Sequence, residues 1–498
     1  MKPTISHKLS AILALLFITS ITCVPSNAAE PKPNIVFILA DDMGYGDPHC
    51  FNPQSRIPTP NIDRLATQGM MFTDAHAAGA VCVPSRYGLL TGRYPFRNAG
   101  QKNPARGPLI EPGRPTIATV LRERGYATAM IGKWHLGFEG GDRFDHAGPL
   151  HGGPVDHGFD TFFGQHASLD IPPYFFIDQD RCVEIPTATI AASSSPDWSP
   201  IQGAFWRAGK IAPSFKHADV LPTYTRKAVE YLEERGKLTG ADAKPFFFYV
   251  AFTAPHTPWL PMEQFRGKSM GGLYGDFVAQ VDDAVGQVLA ALDRTKLADN
   301  TLVIFTSDNG PVWYPTDVKK FGHSAAGNWR GMKGDIWEAG HRMPFIARWP
   351  GKVAPNTNCD QTISFTDMMA TFASASGKPL PDGVGEDSYD LLPLLLGRAP
   401  TPPDRPLREA TIMESSQGVL AIRRGNWKLI PHLGSGGFTI PANITPTAAG
   451  PKGQLYNLAD DPTESKNRYL EEPQLVRQLT DLLTRYKQSP RTPSRPAQ

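Results

Sequence analysis

The chain has little cysteine, no excess of either charge and, beyond its first thirty residues, no long apolar run. Five cysteines in 498 residues cannot build a disulfide scaffold, and their odd number leaves at least one unpaired within a monomer. Lysine and arginine number 50 against 48 aspartates and glutamates. That balance excludes a polybasic nucleic-acid binder and the charge-rich composition of disordered chains. No later segment is long and apolar enough for a membrane span, which needs about 20 residues. What the chain does have is punctuation, 48 prolines and 46 glycines. Together they make about a fifth of the sequence, below the roughly 25–30% of low-complexity chains, so they should lie in long, structured connections. With 41% hydrophobic residues, this is the composition of a large globular protein with room for two or three domains of about 100–200 residues.

Residues 1–28 read as a removable signal peptide. Lys2 and Lys8 form a basic start, and Leu9 to Ile21 is apolar but for Ser and Thr. Ser26-Asn27-Ala28 then supplies small residues where a signal peptidase reads. Cleavage after Ala28 removes two of the 50 basic residues and none of the 48 acidic ones, so the mature chain carries no net charge. Lipidation at Cys23 is not expected, because Ser20-Ile21-Thr22 matches a lipoprotein box poorly. The expected location is periplasmic or secreted.

Past the leader, apolar runs alternate with amphipathic stretches. Asn34 to Ala40 is continuously apolar, as a strand buried on both faces should be. Ala127 to Ile131, Pro245 to Phe252 and Thr301 to Thr306 share that character. Helical patterns lie between them: Asn61 to Gln68 after the cap Thr59-Pro60, Leu221 to Arg235, and Phe277 to Asp293. Strand-then-helix alternation predicts an α/β fold, a mostly parallel sheet covered on both sides by helices.

In such sheets ligands sit at the carboxyl ends of the strands. The first run is followed by Asp41 and Asp42, and the second by Gly132-Lys133-Trp134-His135. The third leads to Ala254-Pro255-His256 and the fourth to Asp308 and Asn309. Asp41, Asp42, Asp308 and Asn309 are hard oxygen donors that suit calcium or magnesium better than zinc. Three carboxylates at one sheet edge should repel without a cation. On spacing alone, helix caps and plain turns account for these residues equally well.

The segment Cys82-Val83-Pro84-Ser85-Arg86-Tyr87-Gly88-Leu89-Leu90-Thr91-Gly92-Arg93 breaks the tie. Cys-x-Pro-Ser-Arg followed by Leu-Thr-Gly-Arg resembles the signature of the type I sulfatases of the alkaline phosphatase superfamily. The Asp-Asp, Gly-Lys-Trp-His-Leu-Gly and Asp-Asn-Gly segments stand around it in that family's order. The resemblance runs from about residue 33 to 470 and is nearest to the arylsulfatase and N-acetylgalactosamine-6-sulfatase branch. It implies an alkaline-phosphatase-like catalytic domain over 29–400, built on a large mixed, mostly parallel sheet. A smaller C-terminal α+β subdomain with an antiparallel sheet, plus a tail, would occupy 401–498.

The resemblance also implies a chemistry, hydrolysis of a sulfate monoester. A formylglycine-generating maturation enzyme would oxidise Cys82 to formylglycine (3-oxoalanine), whose hydrate supplies the nucleophilic hydroxyl. One Ca²⁺, or Mg²⁺, would be held by Asp41, Asp42, Asp308, Asn309 and modified Cys82. Residue 82 should start a helix, with Arg86 one turn on to hold the deprotonated nucleophile. Lys133 and Lys333, the latter in Arg330-Gly331-Met332-Lys333-Gly334, match lysines that bind sulfate oxygens. His256, with Lys333, matches the donor to the departing alcohol, and His135 the base that deprotonates the second geminal hydroxyl. The implied partner is a sulfated carbohydrate, with no nucleic acid and no membrane span. A phosphate or phosphonate ester hydrolase of the same superfamily is the alternative. A non-catalytic glycan-binding relative should have lost Cys82, Lys133 or His256, and all three are present.

Other features are less specific. Ala339 stands where the family usually has the first of two glycines after Glu338. His151, His157, His323 and His341 are read as structural. Ile171 to Ala218 is poor in periodic pattern and reads as a wall of the substrate pocket, with Trp198 and Trp206 placed to stack on sugar rings. Pro400 to Pro406 marks a boundary. Short strands follow in Gly418 to Ile430 and Gln454 to Leu458, then a helix over Pro473 to Tyr486. Once Cys23 leaves and Cys82 is modified, Cys50, Cys182 and Cys359 allow one disulfide at most.

Overall fold

The structure is a computed structural model, and it describes residues 1, 31–100, 102–398 and 406–492. The expected leader, Cys23 included, and the expected boundary at 400/401 therefore lie outside the described residues. Among the described residues no helix is long and apolar enough to cross a membrane.

The apolar runs form the centre of an 11-stranded sheet. Five strands lie side by side and parallel in the order Thr301–Ser307, Asn34–Asp41, Phe246–Pro255, Ala127–Lys133, Thr161–Gln165. Every residue of the Asn34–Asp41 strand is buried, as an element covered on both faces must be. Phe247 packs on Phe372 of the Met368–Ala375 helix, whereas Phe246 and Phe248 pack on Tyr231 of the Val220–Lys237 helix. Consecutive strand residues point to opposite faces, so helices cover both sides of the sheet. Arg342–Arg348 extends the sheet antiparallel beyond Thr301–Ser307, and Met70–His76 pairs antiparallel with it in turn.

The predicted helices form, with ends shifted by a few residues, at Pro60–Thr67, Val220–Lys237 and Gly272–Arg294. The Ile171–Ala218 stretch has more structure than its sequence suggested. Ile177–Asp178 and Arg181–Cys182 add two short strands to the edge of the main sheet. Ala188–Ile190 and Gly209–Ile211 make a separate two-stranded ribbon. Pairs of two or three residues are too short to show a hydrophobic period.

The C-terminal residues form a four-stranded antiparallel sheet of Thr411–Glu414, Leu420–Arg424, Trp427–Ile430 and Gln454–Asn457. Its strands alternate sides. Ile412, Ile422, Leu429 and Leu455 pack with Val476, Leu479, Leu482 and Tyr486 of the Pro473–Gln488 helix. Met413, Ala421, Ile430 and Tyr456 pack with Ile336 and Trp337 of the core. A buried ionic network crosses the same contact. Lys428 and Glu464 meet Glu338 and His341, while Arg423 meets Asp74 and His76. No disulfide joins the described cysteines, and Cys50, Cys82, Cys182 and Cys359 are all free.

Candidate active site

Parallel strands end on one edge, so the polar residues after each apolar run converge. Asp41 ends one strand and Asp42 follows it with a φ of 67°. Lys133 ends another, and His135 two residues later has a φ of 59°. Left-handed backbone at two non-glycine residues of one site is strain held by the surrounding packing. Close packing of the neighbouring strand requires glycine at 132, where a Cβ would meet the Ala251 carbonyl oxygen at 1.8 Å. Cys82 is the first residue of the Cys82–Thr91 helix, and that helix points its first turn, with Arg86, into the same space.

All ten candidate residues meet there. The Cys82 Sγ lies 3.3 Å from His135 Nδ1. Lys133 pairs with Asp41, and Lys333 donates to both oxygens of Asp42 at 2.6 and 2.8 Å. Arg86 donates to Asp308 at 3.0 Å and to the Lys133 carbonyl at 2.9 Å, and lies 3.5 Å from Asp41. The His256 Nε2 lies 3.7 Å from Asp42, its Nδ1 being bonded to the Thr257 carbonyl at 2.6 Å. Asn309 Nδ2 donates to Asp42 at 2.6 Å. The site is deep: Lys133, Asp41, Asp308 and Asn309 are 0% exposed, and the most accessible members are Cys82 at 7% and His256 at 8%.

The charges here differ from expectation in one respect. The three carboxylates do not stand unopposed, because Arg86, Lys133 and Lys333 are paired with them. Arg86, expected to hold the nucleophile, also donates to Asp308 and to the Lys133 carbonyl. Burial alone would raise Asp41, but Lys133, His256 and Arg86 outweigh it and hold the carboxyl well below the usual range. Burial and the neighbouring Asp41 push Asp308 up to about 6. Burial, with Lys133 and Arg86 close by, drives His135 well below the ordinary imidazole range, so it stands neutral. Burial raises the Cys82 thiol. An unmodified thiol at this position is thus protonated at neutral pH and a poor nucleophile.

The donor set fits a hard divalent cation. Asp41 Oδ1 and Asn309 Oδ1 are both buried and have no hydrogen-bond partner, and such orphaned oxygens are costly unless something ligates them. Asp41, Asp42 and His256 offer ligand atoms within 4.8 Å of one another. A second cluster, His76, Glu338 and His341, meets the same spacing but leaves none of its ligand atoms orphaned. Lys428 and Arg342 pair with Glu338 at 3.0 and 2.7 Å.

Several residues that support the site had no part in the sequence reading of it, His323 being read only as structural. The Tyr274 hydroxyl donates to Asp47 and to the Asp42 carbonyl, while His323 meets Asp47 at 2.8 Å. The Asp47 carboxylate also takes the Gly44 N–H at 2.6 Å, and Ser307 takes that of Met43 at 2.9 Å. This buried brace fixes the turn that carries Asp42. His323 is therefore structural, as is His341, whose Nδ1 lies 2.9 Å from that of His76. Each of the two tryptophans has a ring face in contact with another side chain. Trp198 is stacked on Phe321 and capped by Lys320, and Trp206 is stacked on His217. Ala339 is buried in the Glu338–His341 turn, which bonds to Gly310 beside Asn309 through the Gly340 carbonyl.

The chain as a whole is similar to known proteins over most of its length. Residues 33–378 match the family model described as Sulfatase. The chain is 35% identical over 491 residues to an N-acetylgalactosamine-6-O-sulfatase of Bacteroides thetaiotaomicron, covering 91% of this chain and 92% of that one. It is 34% identical over 469 residues to human arylsulfatase A, covering 88% and 84%. A solved Bacteroides thetaiotaomicron structure, described for the metabolism of multiple glycosaminoglycans, superposes with a TM-score of 0.78. It is 33% identical and covers 92% of this chain and all of that one.

Proposed function

Because the chain belongs to the sulfatase family, the sulfuric ester hydrolases, we propose that it removes sulfate from a sulfated carbohydrate after conversion of Cys82 to formylglycine. The observation that carries this reading is the buried constellation around Cys82. A helix-initial cysteine faces a neutral histidine, with two lysines and an oxygen donor set around it. The carbohydrate class is supported by the name of the Bacteroides relative.

The aldehyde hydrate made from Cys82 by a maturation enzyme would supply an oxygen nucleophile where the thiol cannot. A Ca²⁺ or Mg²⁺ ion held by Asp41, Asp42, Asp308 and Asn309, together with modified Cys82, would neutralise sulfate oxygens as charge builds on them. The chain's own side chains do the rest. Lys133 and Lys333 present ammonium groups beside the nucleophile position to receive a sulfate anion. Lys333 and His256 both lie against Asp42, and this adjacent pair would give the departing alcohol its proton. His135, neutral and 3.3 Å from Cys82 Sγ, is placed to accept a proton from the group at that position. Burial of all these groups keeps bulk water from competing with them.

The test is a comparison of aryl sulfate with aryl phosphate hydrolysis, combined with mass spectrometry of the Cys82 peptide from active enzyme. Sulfate preference and an aldehyde at residue 82 are expected. An unmodified thiol in fully active enzyme, or a clear preference for phosphate, overturns the reading. Export through residues 1–28 belongs to the same proposal and is checked by the N-terminus of the mature protein.

A further inference from the structure

The groups around Cys82 account for the sulfate end of a substrate and leave its sugar without a place. Two cavities open beside Cys82. One, of about 280 Å³, is lined by Val83, Asn103 and Pro104 with His135. The other, of about 390 Å³, shares those three residues but continues to Val81, Glu414 and Ser416.

The larger cavity is closed by the C-terminal sheet, which is tied to the core at this point. Glu414 ends the Thr411–Glu414 strand, and its carbonyl accepts the Ala80 N–H at 2.7 Å, two residues before Cys82. The Ser416 N–H donates to the Gly334 carbonyl at 2.9 Å, beside Lys333. The cavity thus has the nucleophile segment on one side and the neighbour of the proposed proton donor on the other. A sulfate ester seated on Lys133 and Lys333 can place its alcohol portion here.

The lining specifies what that portion should be. Glu414 Oε2 is buried and has no hydrogen-bond partner. Burial raises this carboxyl to about 6, with Lys102 opposing. A buried carboxylate oxygen is costly until a donor reaches it, and none of the lining side chains, Asn98, Lys102 and Asn103 among them, bonds this one. A sugar hydroxyl is a neutral donor that would satisfy it. Lys102 lines the same cavity and opposes the Glu414 charge, so a neutral group leaves that balance as it is, whereas a second sulfate or a uronate would upset it. The valines offer apolar surface to the C–H face of a ring, the usual mix of a small-molecule site.

Resting on the sulfatase reading above, the geometry points to this cavity as the subsite for a neutral, hydroxyl-bearing part of the sulfated carbohydrate, with Glu414 accepting a hydrogen bond from a ring hydroxyl. Glu414 is then a specificity-determining residue supplied by the C-terminal sheet.

Matured wild type, Glu414→Ala and Glu414→Gln are compared on two substrates. One is 4-nitrophenyl sulfate. The other is whichever monosulfated hexose or N-acetylhexosamine of a panel sulfated at each ring position the wild type cleaves fastest. The ratio of kcat/KM for the sugar to that for the aryl sulfate should fall by about tenfold or more in Glu414→Ala. It should fall less in Glu414→Gln, whose amide oxygen can still accept. An unchanged ratio in Glu414→Ala overturns the subsite, as does a wild type that cleaves aryl sulfate but no sugar of the panel. A wild type that cleaves no sulfate ester overturns the parent reading and this one with it, and the aryl sulfate control separates that failure from the other two.

Discussion

Replacing Lys428 with methionine should cost the protein about 3 kcal/mol at pH 7, by an amount that depends on pH. Lys428 is 0% exposed and joins the C-terminal sheet to the core. Its Nζ lies 3.0 Å from Glu338, 2.9 Å from Glu464 and 3.2 Å from His341 Nε2. Three carboxylates in this network, Asp74, Glu338 and Glu464, face three cations, Arg342, Arg423 and Lys428. Lys428→Met keeps the volume of the stem and leaves one buried negative charge in excess. The least costly relief is a proton on Glu464, a carboxyl that burial already raises above its ordinary 4.5. Holding that proton at pH 7 costs about 1.4 kcal/mol for each of the 2.5 units from 4.5. That gives a penalty of about 3.4 kcal/mol, within the roughly 3–5 kcal/mol typical of a broken buried pair. The folded variant then binds a proton that the unfolded chain has released. Its deficit against wild type therefore grows as pH rises and shrinks by about 1.4 kcal/mol per unit on the way down to pH 5. Urea unfolding at pH 5, 6 and 7, followed by tryptophan fluorescence, measures this. Adding Glu464→Gln to Lys428→Met restores the balance and should recover most of the loss. A penalty below about 1 kcal/mol at pH 7, a penalty flat with pH, or a double variant no better than the single one refutes the reasoning.

Three further outcomes are expected. Asp308→Asn should lower calcium affinity, read by calorimetric titration, and turnover by at least about 100-fold; undiminished affinity sinks the ligand assignment. His76 and His341 are held below the ordinary 6.5, burial being the chief cause in both. The groups facing the pair are Asp74, Glu338, Arg342, Arg423 and Lys428. A histidine kept neutral by folding contributes stability that is whole above 6.5 and lost as pH falls from there toward its depressed folded value. Melting temperature should accordingly drop between pH 7.5 and 5.5, and less steeply in His341→Gln; parallel profiles would count against the pair. Gly132→Ala would put a Cβ 1.8 Å from the Ala251 oxygen at a φ of 115°. It should cost at least about 2 kcal/mol or prevent soluble expression, and a variant that melts with wild type contradicts the strand packing described.

Much of the candidate site's sheet edge was legible because its physics is local. Asn34–Asp41 reads as a buried strand from composition alone, and parallel pairing delivers the residue after each such strand to the same edge. The Cys82 segment carried the rest through its resemblance to a known signature. The brace of Asp47, Tyr274 and His323 was not legible, since Tyr274 lies 227 residues from the Asp47 it bonds. Nor was the second use of Arg86, Lys133 and Lys333 as partners of the three carboxylates. Sequence shows which charges exist and says nothing of which lie within reach. Nor does the sequence say that Trp198 stacks on Phe321 or Trp206 on His217.

The sequence by itself determined the strand and helix alternation, the residues at the strand ends and the identity of the residue that begins the Cys82–Thr91 helix. These follow from runs and spacings of a few residues, over which the chain's own geometry decides. Only the tertiary structure decided that the C-terminal sheet closes on the core beside Cys82. There Lys428 neutralises the core's Glu338 together with Glu464, and Glu414 is brought to a cavity next to Lys333's neighbour. Those contacts join residues tens to hundreds of positions apart. Their energies come from burial and charge balance, which no local pattern encodes.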